Sequence, residues 1–157
     1  MKKILLINNI NEVNEYLKST KEFNTIIVLD YRAAILCHQK KIRFKYIKDF
    51  KETEMNIKLD KFYYSSFNLA KKVDNQIIKK NKNFKNLNFF SNYASFTKSL
   101  LLIKLYYQYI KIINVKYKKD KLYYYENINN DYYDFFLETI KIFQKKNKNF
   151  NKIELNS

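Results

Sequence analysis

The chain has 157 residues, 46% of them apolar, and carries a formal charge of +16, so it can bury one core of ordinary size under a strongly basic surface. A single Cys (Cys37) and a single His (His38) exclude an internal disulfide, a thiolate zinc cluster and any site built on two imidazoles. Gly and Pro are both absent, which removes every glycine-dependent phosphate loop: no GxGxxG, no Walker A, no GxSxG elbow.

The rest of the composition is biased in the same direction. Lys, Asn, Ile, Tyr and Phe, all with A/T-rich codons, are abundant, whereas only Arg32 and Arg43 are arginine. An AT-rich genome explains this without reference to a partner. Phosphate recognition draws on the bidentate geometry of Arg as well as on Lys. Lys here is spread over every expected solvent face, as in a solvated basic protein. Neither export nor a membrane span is expected. The apolar run after Lys2-Lys3 is only Ile4 to Ile7, too short for a signal peptide. The best spanning candidate, 96–115, holds Lys98, Lys104 and Lys111, each costing roughly 2.5–3.5 kcal/mol at a bilayer centre. A cytoplasmic protein with reduced Cys37 is the expectation.

In chain order, Lys-Ile-Leu-Leu-Ile at 3–7 predicts a strand buried on both faces, stopped by Asn8-Asn9. A helix follows, with Asn9 and Glu12 at capping-box spacing and Val13, Tyr16 and Leu17 as its apolar stripe. Thr25 to Leu29 predicts a second strand, ended by Asp30, and Tyr31 to Lys40 a helix carrying Ala33, Ala34, Leu36 and Cys37. Arg43 to Ile47 alternates like a short edge strand, and Asp49 with Glu52 resembles another capping signal.

The middle is helical. Over 58–80, Leu59, Tyr63, Ser66, Ala70, Val73 and Ile77 recur at spacings of three and four, widened by Phe62 and Leu69. A polar connection at 81–88 and Phe89-Phe90 lead to a second helix at about 96–117. There Phe96, Leu100, Ile103, Tyr107, Ile110 and Ile113 or Asn114 are expected inward, with Lys104, Gln108, Lys111 and Lys118 outward. Lys121 to Tyr125 predicts a fourth strand. A helix over Asp131 to Lys146 is expected to be capped by Asp131, with Asp134 in its first turn and Tyr132, Phe135, Phe136, Ile140 and Phe143 inward. Lys152 to Leu155 completes the pattern as a fifth strand.

Strands alternating with helices predict one Rossmann-like α/β domain over 1–157: a doubly wound, mostly parallel sheet of order 3-2-1-4-5, with an αα insertion between strands three and four. Without glycine, left-handed turn positions should fall to Asn, at Asn8-Asn9, Asn81-Asn83 and Asn127-Asn130.

In such a sheet, ligands bind at the carboxyl ends of the strands where the chain order reverses, here between strands one and four. Asn8, Asn9 and Ile10 would line one side, and Glu126, Asn127, Ile128 and Asn129 the other, with Asp30, Tyr31 and Arg32 alongside. Amides and carboxylates suit a hydroxyl-rich ligand; turn-making and capping are their structural alternatives. Asp30 matches a ribose-binding acid in type, but Asn8-Asn9-Ile10-Asn11 would block close approach of a pyrophosphate. A phosphoacceptor receiver domain fits the length but needs acidic residues where Asn8-Asn9 stands. Asp131 and Asp134 serve better as helix-start residues than as a catalytic or metal-binding pair. Cys37 and His38 lack a third partner. No catalytic, metal or cofactor site is assigned.

The order of features resembles a known family. Thr25-Ile-Ile-Val-Leu-Asp30, then Lys41-Ile-Arg-Phe-Lys-Tyr-Ile-Lys-Asp-Phe50, two aromatic-rich helices and Lys118-Lys-Asp-Lys-Leu-Tyr-Tyr-Tyr-Glu-Asn127 are similar to the N-terminal half of bacterial GT-B-type glycosyltransferase-like proteins, nearest those of surface-polysaccharide biosynthesis. Lys118-Lys119-Asp120 stands where that family has a Lys/Pro-Asp lead-in. The resemblance implies a domain shaping the glycan-acceptor side, with the sugar nucleotide held by a second Rossmann-like domain or chain, and no catalysis by this half alone. The competing reading is a free-standing basic module for nucleic acid or another polyanion, stacking bases on Tyr106 to Tyr109 or Tyr123 to Tyr125. No known nucleic-acid-binding motif frames those tyrosines.

Overall fold

The computed structural model describes residues 1–50, 59–81, 83, 94–126 and 134–154. In order these form β1 (Lys3–Ile7), α1 (Ile10–Lys18), β2 (Thr25–Val28), α2 (Tyr31–Gln39), β3 (Lys45–Tyr46), a 3-10 turn (Ile47–Asp49), α3 (Leu59–Lys80), α4 (Ala94–Lys116), β4 (Lys121–Glu126), α5 (Phe135–Gln144) and β5 (Phe150–Glu154). The five strands make one sheet of order β3-β2-β1-β4-β5, with every neighbouring pair parallel. This is the doubly wound Rossmann-like arrangement that the alternation predicts, with α3 and α4 inserted between β3 and β4.

β1 lies at the centre because it is apolar on both faces. Ile4, Leu5, Leu6 and Ile7 are all fully buried. Leu5 pairs with Ile26 on one side and Tyr123 on the other, and Leu6 with Ile27 and Tyr124. Side-chain alternation then sorts the core into two layers. Leu5, Ile7, Ile26, Val28, Tyr125 and Ile153 pack with Val13 of α1 and Ala33, Ala34 and Cys37 of α2. Toward the opposite face, Gln144 of α5 donates to the Tyr124 hydroxyl at 2.9 Å. Tyr106 of α4 meets Phe136 of α5 with ring centroids 5.8 Å apart.

The described chain forms two compact units, Met1–Glu54 with Tyr106–Ser157, and Met55–Leu105. The first holds the sheet. In the second, α3 buries Ser66, Ala70 and Asp74, an i, i+4, i+8 stripe that includes a carboxylate. Leu69, expected inward, is exposed. The side chains of Leu59, Phe62, Tyr63 and Phe96 lie outside the described ones, as do residues Glu52, Phe89, Phe90, Asp131, Tyr132 and Leu155. No helix among the described residues is long and apolar enough to cross a membrane.

Four further expectations are corrected. β3 is two residues long, because Ile47 turns inward into the 3-10 turn, where Asp49 also lies, and the edge strand meets only Ile27 and Val28. In α4 the buried stripe is Tyr109, Ile110 and Ile113, with Tyr106 partly buried. Tyr107 is exposed, and the Gln108 Oε1 is buried without a partner. So much of this helix is apolar that periodicity cannot select one face. Leu17 of α1 is exposed. Finally, α5 begins after Asp134, which is itself the cap: its Oδ1 accepts from Phe136 N at 2.9 Å and Leu137 N at 3.2 Å.

The left-handed position also differs. Among the described residues only Lys41 has a positive φ (56°), and no Asn does; the expected positions at Asn127–Asn130 lie outside the described residues. Lys41 follows α2 in a Schellman-type ending, with Ile42 N bonded to Cys37 O at 2.9 Å and Lys41 N to His38 O at 3.0 Å. The Cβ of a non-glycine residue there costs about 1–2 kcal/mol. Replacing Lys41 by Gly should therefore raise the unfolding free energy by about 1 kcal/mol in urea titrations.

Candidate functional site

The site begins where β1 ends. Asn9 is extended (φ −150°, ψ 170°) and caps α1, its Oδ1 accepting from Glu12 N at 3.0 Å. Glu12 reaches back: Oε2 accepts from the Asn8 backbone N–H, and Oε1 from Asn9 Nδ2 at 3.0 Å. The Asn9–Glu12 spacing thus forms a capping box, as the sequence suggests, with the carboxylate holding the residue before the cap as well. Glu12 is 5% exposed. Burial pushes its carboxyl up to about 8, the charge of Asp134 adds to this, and the N–H groups of Asn8 and Asn9 work against it.

α2 begins alongside, after β2. Asp30 Oδ1 accepts from Arg32 N at 2.9 Å and Ala33 N at 3.0 Å. The Arg32 guanidinium lies 3.9 Å from the same oxygen and is mostly exposed, a loose ion pair that adds little stability. Asn8, Asn9, Ile10, Asn11, Asp30, Arg32 and Tyr106 together line an open cleft of about 320 Å³. Burial raises the Tyr106 hydroxyl above its ordinary range, partly offset by a hydrogen bond with the Asn8 side chain. The Asn8 Oδ1 is buried without a partner.

The hydrogen-bonding inventory of this cleft is mixed. The Asp30 carboxylate accepts, Arg32 donates, and the Asn9 and Asn11 amides and the Tyr106 hydroxyl can do either. The helix N-termini of α1, α2 and α5 are each closed by the chain's own Asn9, Asp30 and Asp134. A phosphate arriving at α2 would meet a carboxylate in place of free N–H groups, the reverse of a phosphate site.

Of the residues singled out from sequence, Asn8, Asn9, Ile10, Asp30 and Arg32 are brought together. Tyr31 is 65% exposed and outside the lining. Glu126 is turned to the other edge: the parallel register sets it opposite Glu154, and Lys152 bridges both at 3.2 and 3.0 Å. Asn127, Ile128 and Asn129 lie outside the described residues. The described cleft therefore gathers the ends of β1 and β2 with α4, and not Glu126 on β4. Sequence reasoning missed Asn11, Tyr106 and the burial of Glu12; spacing marked Glu12 only as a capping partner.

Other candidates have structural roles. Cys37 is fully buried and its thiol is pushed up to about 11 by desolvation, which makes it a poor nucleophile. His38 is exposed. Among the described residues no cluster of three or more His, Cys, Asp or Glu side chains could hold a metal ion.

No family model, curated protein or solved structure matches this chain. The Rossmann-like α/β architecture and the cleft therefore carry the functional argument by themselves.

Glu12 makes stability depend on pH with a definite sign. Its carboxyl ionises near 4.5 when unfolded and about 8 when folded, so the folded state holds the extra proton in between. Stability is full below the lower value, falls as pH rises, and levels off above the higher one, with a slope of up to about 1.4 kcal/mol per pH unit. Urea unfolding across that window should show this decline in the wild type and a much flatter profile in Glu12→Gln.

Proposed function

We propose that this protein is a binding domain for hydroxyl-rich ligands of the glycan-acceptor kind. It is built like the N-terminal half of GT-B-type glycosyltransferase-like proteins of surface-polysaccharide synthesis, and a second Rossmann-like domain or chain supplies the sugar-nucleotide donor. The carrying observation is the cleft at the strand ends, lined by Asn8, Asn9, Asn11, Asp30, Arg32 and Tyr106. Its volume lies at the small end of ligand sites, suited to one or two sugar units. Asn8 and Tyr106 bring an amide and a phenol side by side at this lining, a pair that can both give and accept hydrogen bonds. The closed helix N-termini argue against the nucleotide phosphate as what this half holds.

The competing reading, a polyanion-binding module, has the +16 charge in its favour. Its stacking platform is reduced: Tyr109, Tyr124 and Tyr125 are 8%, 3% and 4% exposed.

Titration of isotope-labelled protein with glucose, galactose, N-acetylglucosamine and UDP, followed by amide NMR, tests the proposal. One or more of the sugars should move the resonances of Asn8, Asn9 and Asn11 while UDP does not. Asp30→Asn keeps a capping oxygen but loses the charge, so folding should change by less than about 1 kcal/mol and sugar affinity should fall roughly tenfold. UDP bound at these residues, or no sugar bound at all, would overturn the assignment.

A further inference from the structure

Asn9 caps α1 through its Oδ1, and Glu12 reaches back past the cap from the first turn of the helix. Its two oxygens are tied to Asn8 N–H and to Asn9 Nδ2, and Asn8 and Asn9 both line the cleft. We infer that Glu12 is a positioning residue for the cleft: its hidden carboxyl sets the placement of Asn8 and Asn9, and gaining or losing a proton there changes what these two residues offer a ligand.

The groups acting around it fit this role. Asp134 at the start of α5 repels its negative charge, and Tyr106 of α4 and Tyr125 of β4 interact with it electrostatically, with Glu15 of α1 also acting on Tyr125. Both tyrosines are shifted upward, Tyr125 to about 12, so they remain neutral through the range in which Glu12 titrates. When ionised, Glu12 grips Asn8 N–H and Asn9 Nδ2 through charge-assisted bonds. When protonated, it accepts more weakly from Asn9 Nδ2 and frees that donor for a ligand, while Asn9 Oδ1 stays on Glu12 N–H as the cap of α1. An uncharged ligand covering the cleft also removes water near the acid, which favours the same neutral form. By reciprocity, such a ligand binds more tightly when Glu12 is protonated.

The proton-linked part stands independently of what binds; the affinity part rests on the hydroxyl-rich ligand proposed above. The Glu12 side-chain carboxyl carbon, the Asn8 backbone amide and the Asn9 side-chain amide can be followed by NMR from about pH 5 to about pH 10, bracketing the value near 8. Both Asn signals should move with the same midpoint as the Glu12 carbon in the wild type. In Glu12→Gln they should show no such transition. Asn signals that stay flat while Glu12 titrates would overturn the inference, and so would an Asn transition that persists in Glu12→Gln. The wild-type measurement decides even if the variant folds poorly. In N-acetylglucosamine titrations at the two ends of this range, the wild type should bind roughly fivefold more weakly at high pH, and Glu12→Gln should lose that dependence. Equal wild-type affinity at both ends would refute the coupling, whereas no binding at any pH counts against the proposed function and leaves the proton-linked change at Asn8 and Asn9 to be judged on the amide signals.

Discussion

A carboxyl group buried at the exit of the central strand ties together the turn between β1 and α1. β1 is apolar on both faces and seals itself between β2 and β4, and its chain leaves the sheet at the half-buried Asn8 and Asn9. The N–H groups that emerge there need partners inside the protein, since a buried unpaired donor costs about 1–3 kcal/mol. Glu12 supplies one from the first turn of the next helix, bonding to Asn8 N–H and also to the Asn9 side chain. The same burial that makes those bonds necessary makes the negative charge expensive, and the two effects leave Glu12 titrating near neutrality.

The lack of glycine shapes the chemistry at this end of the sheet. Many folds of this type bring the backbone close to a phosphate through a glycine turn and aim free helix N–H groups at it. Here each strand-to-helix turn after β1 and β2 carries side chains, and Asn9 and Asp30 use those N–H groups internally. What remains at the surface is a set of amides, a carboxylate, a guanidinium and a phenol around an open cleft. Such a set can both donate and accept hydrogen bonds. The basic surface adds long-range attraction for anionic partners but no specificity at this cleft.

Sheet topology and cap positions were readable from the linear pattern where the physics is local. The apolar runs at Ile4–Ile7 and Ile26–Val28 leave little choice but central strands, and with the intervening helices they lead to the observed strand order. Asn9 likewise declares itself as a cap because its side chain bonds within three residues, whereas Asp30, read as the end of β2, proves to cap α2 in the same way. Where the signal is weaker, the expectation shifted. Asp131 and Asp134 both look like helix starts, and it is Asp134 whose carboxylate accepts from the first free N–H groups of α5. In α4 the abundance of Leu, Ile and Tyr hid which face was buried, so Tyr107 was exchanged for Tyr109.

The site divides along the same line. Asn8, Asn9, Asp30 and Arg32 could be named in advance because parallel strands carry their carboxyl ends to one edge whatever the rest of the fold does. Tyr106 joins them from α4, nearly eighty residues further along the chain than Asp30, and no spacing rule connects the two. Glu126 leaves the group because its register against Glu154 makes Lys152 the better neighbour. The amino-acid order alone therefore determined which strands lie side by side and which helices are capped by their own residues, since both follow from alternation and short-range hydrogen bonding. Tertiary structure alone decided that Glu12 is dry and that a distant tyrosine completes the cleft, because solvent exclusion and long-range proximity depend on how the elements pack.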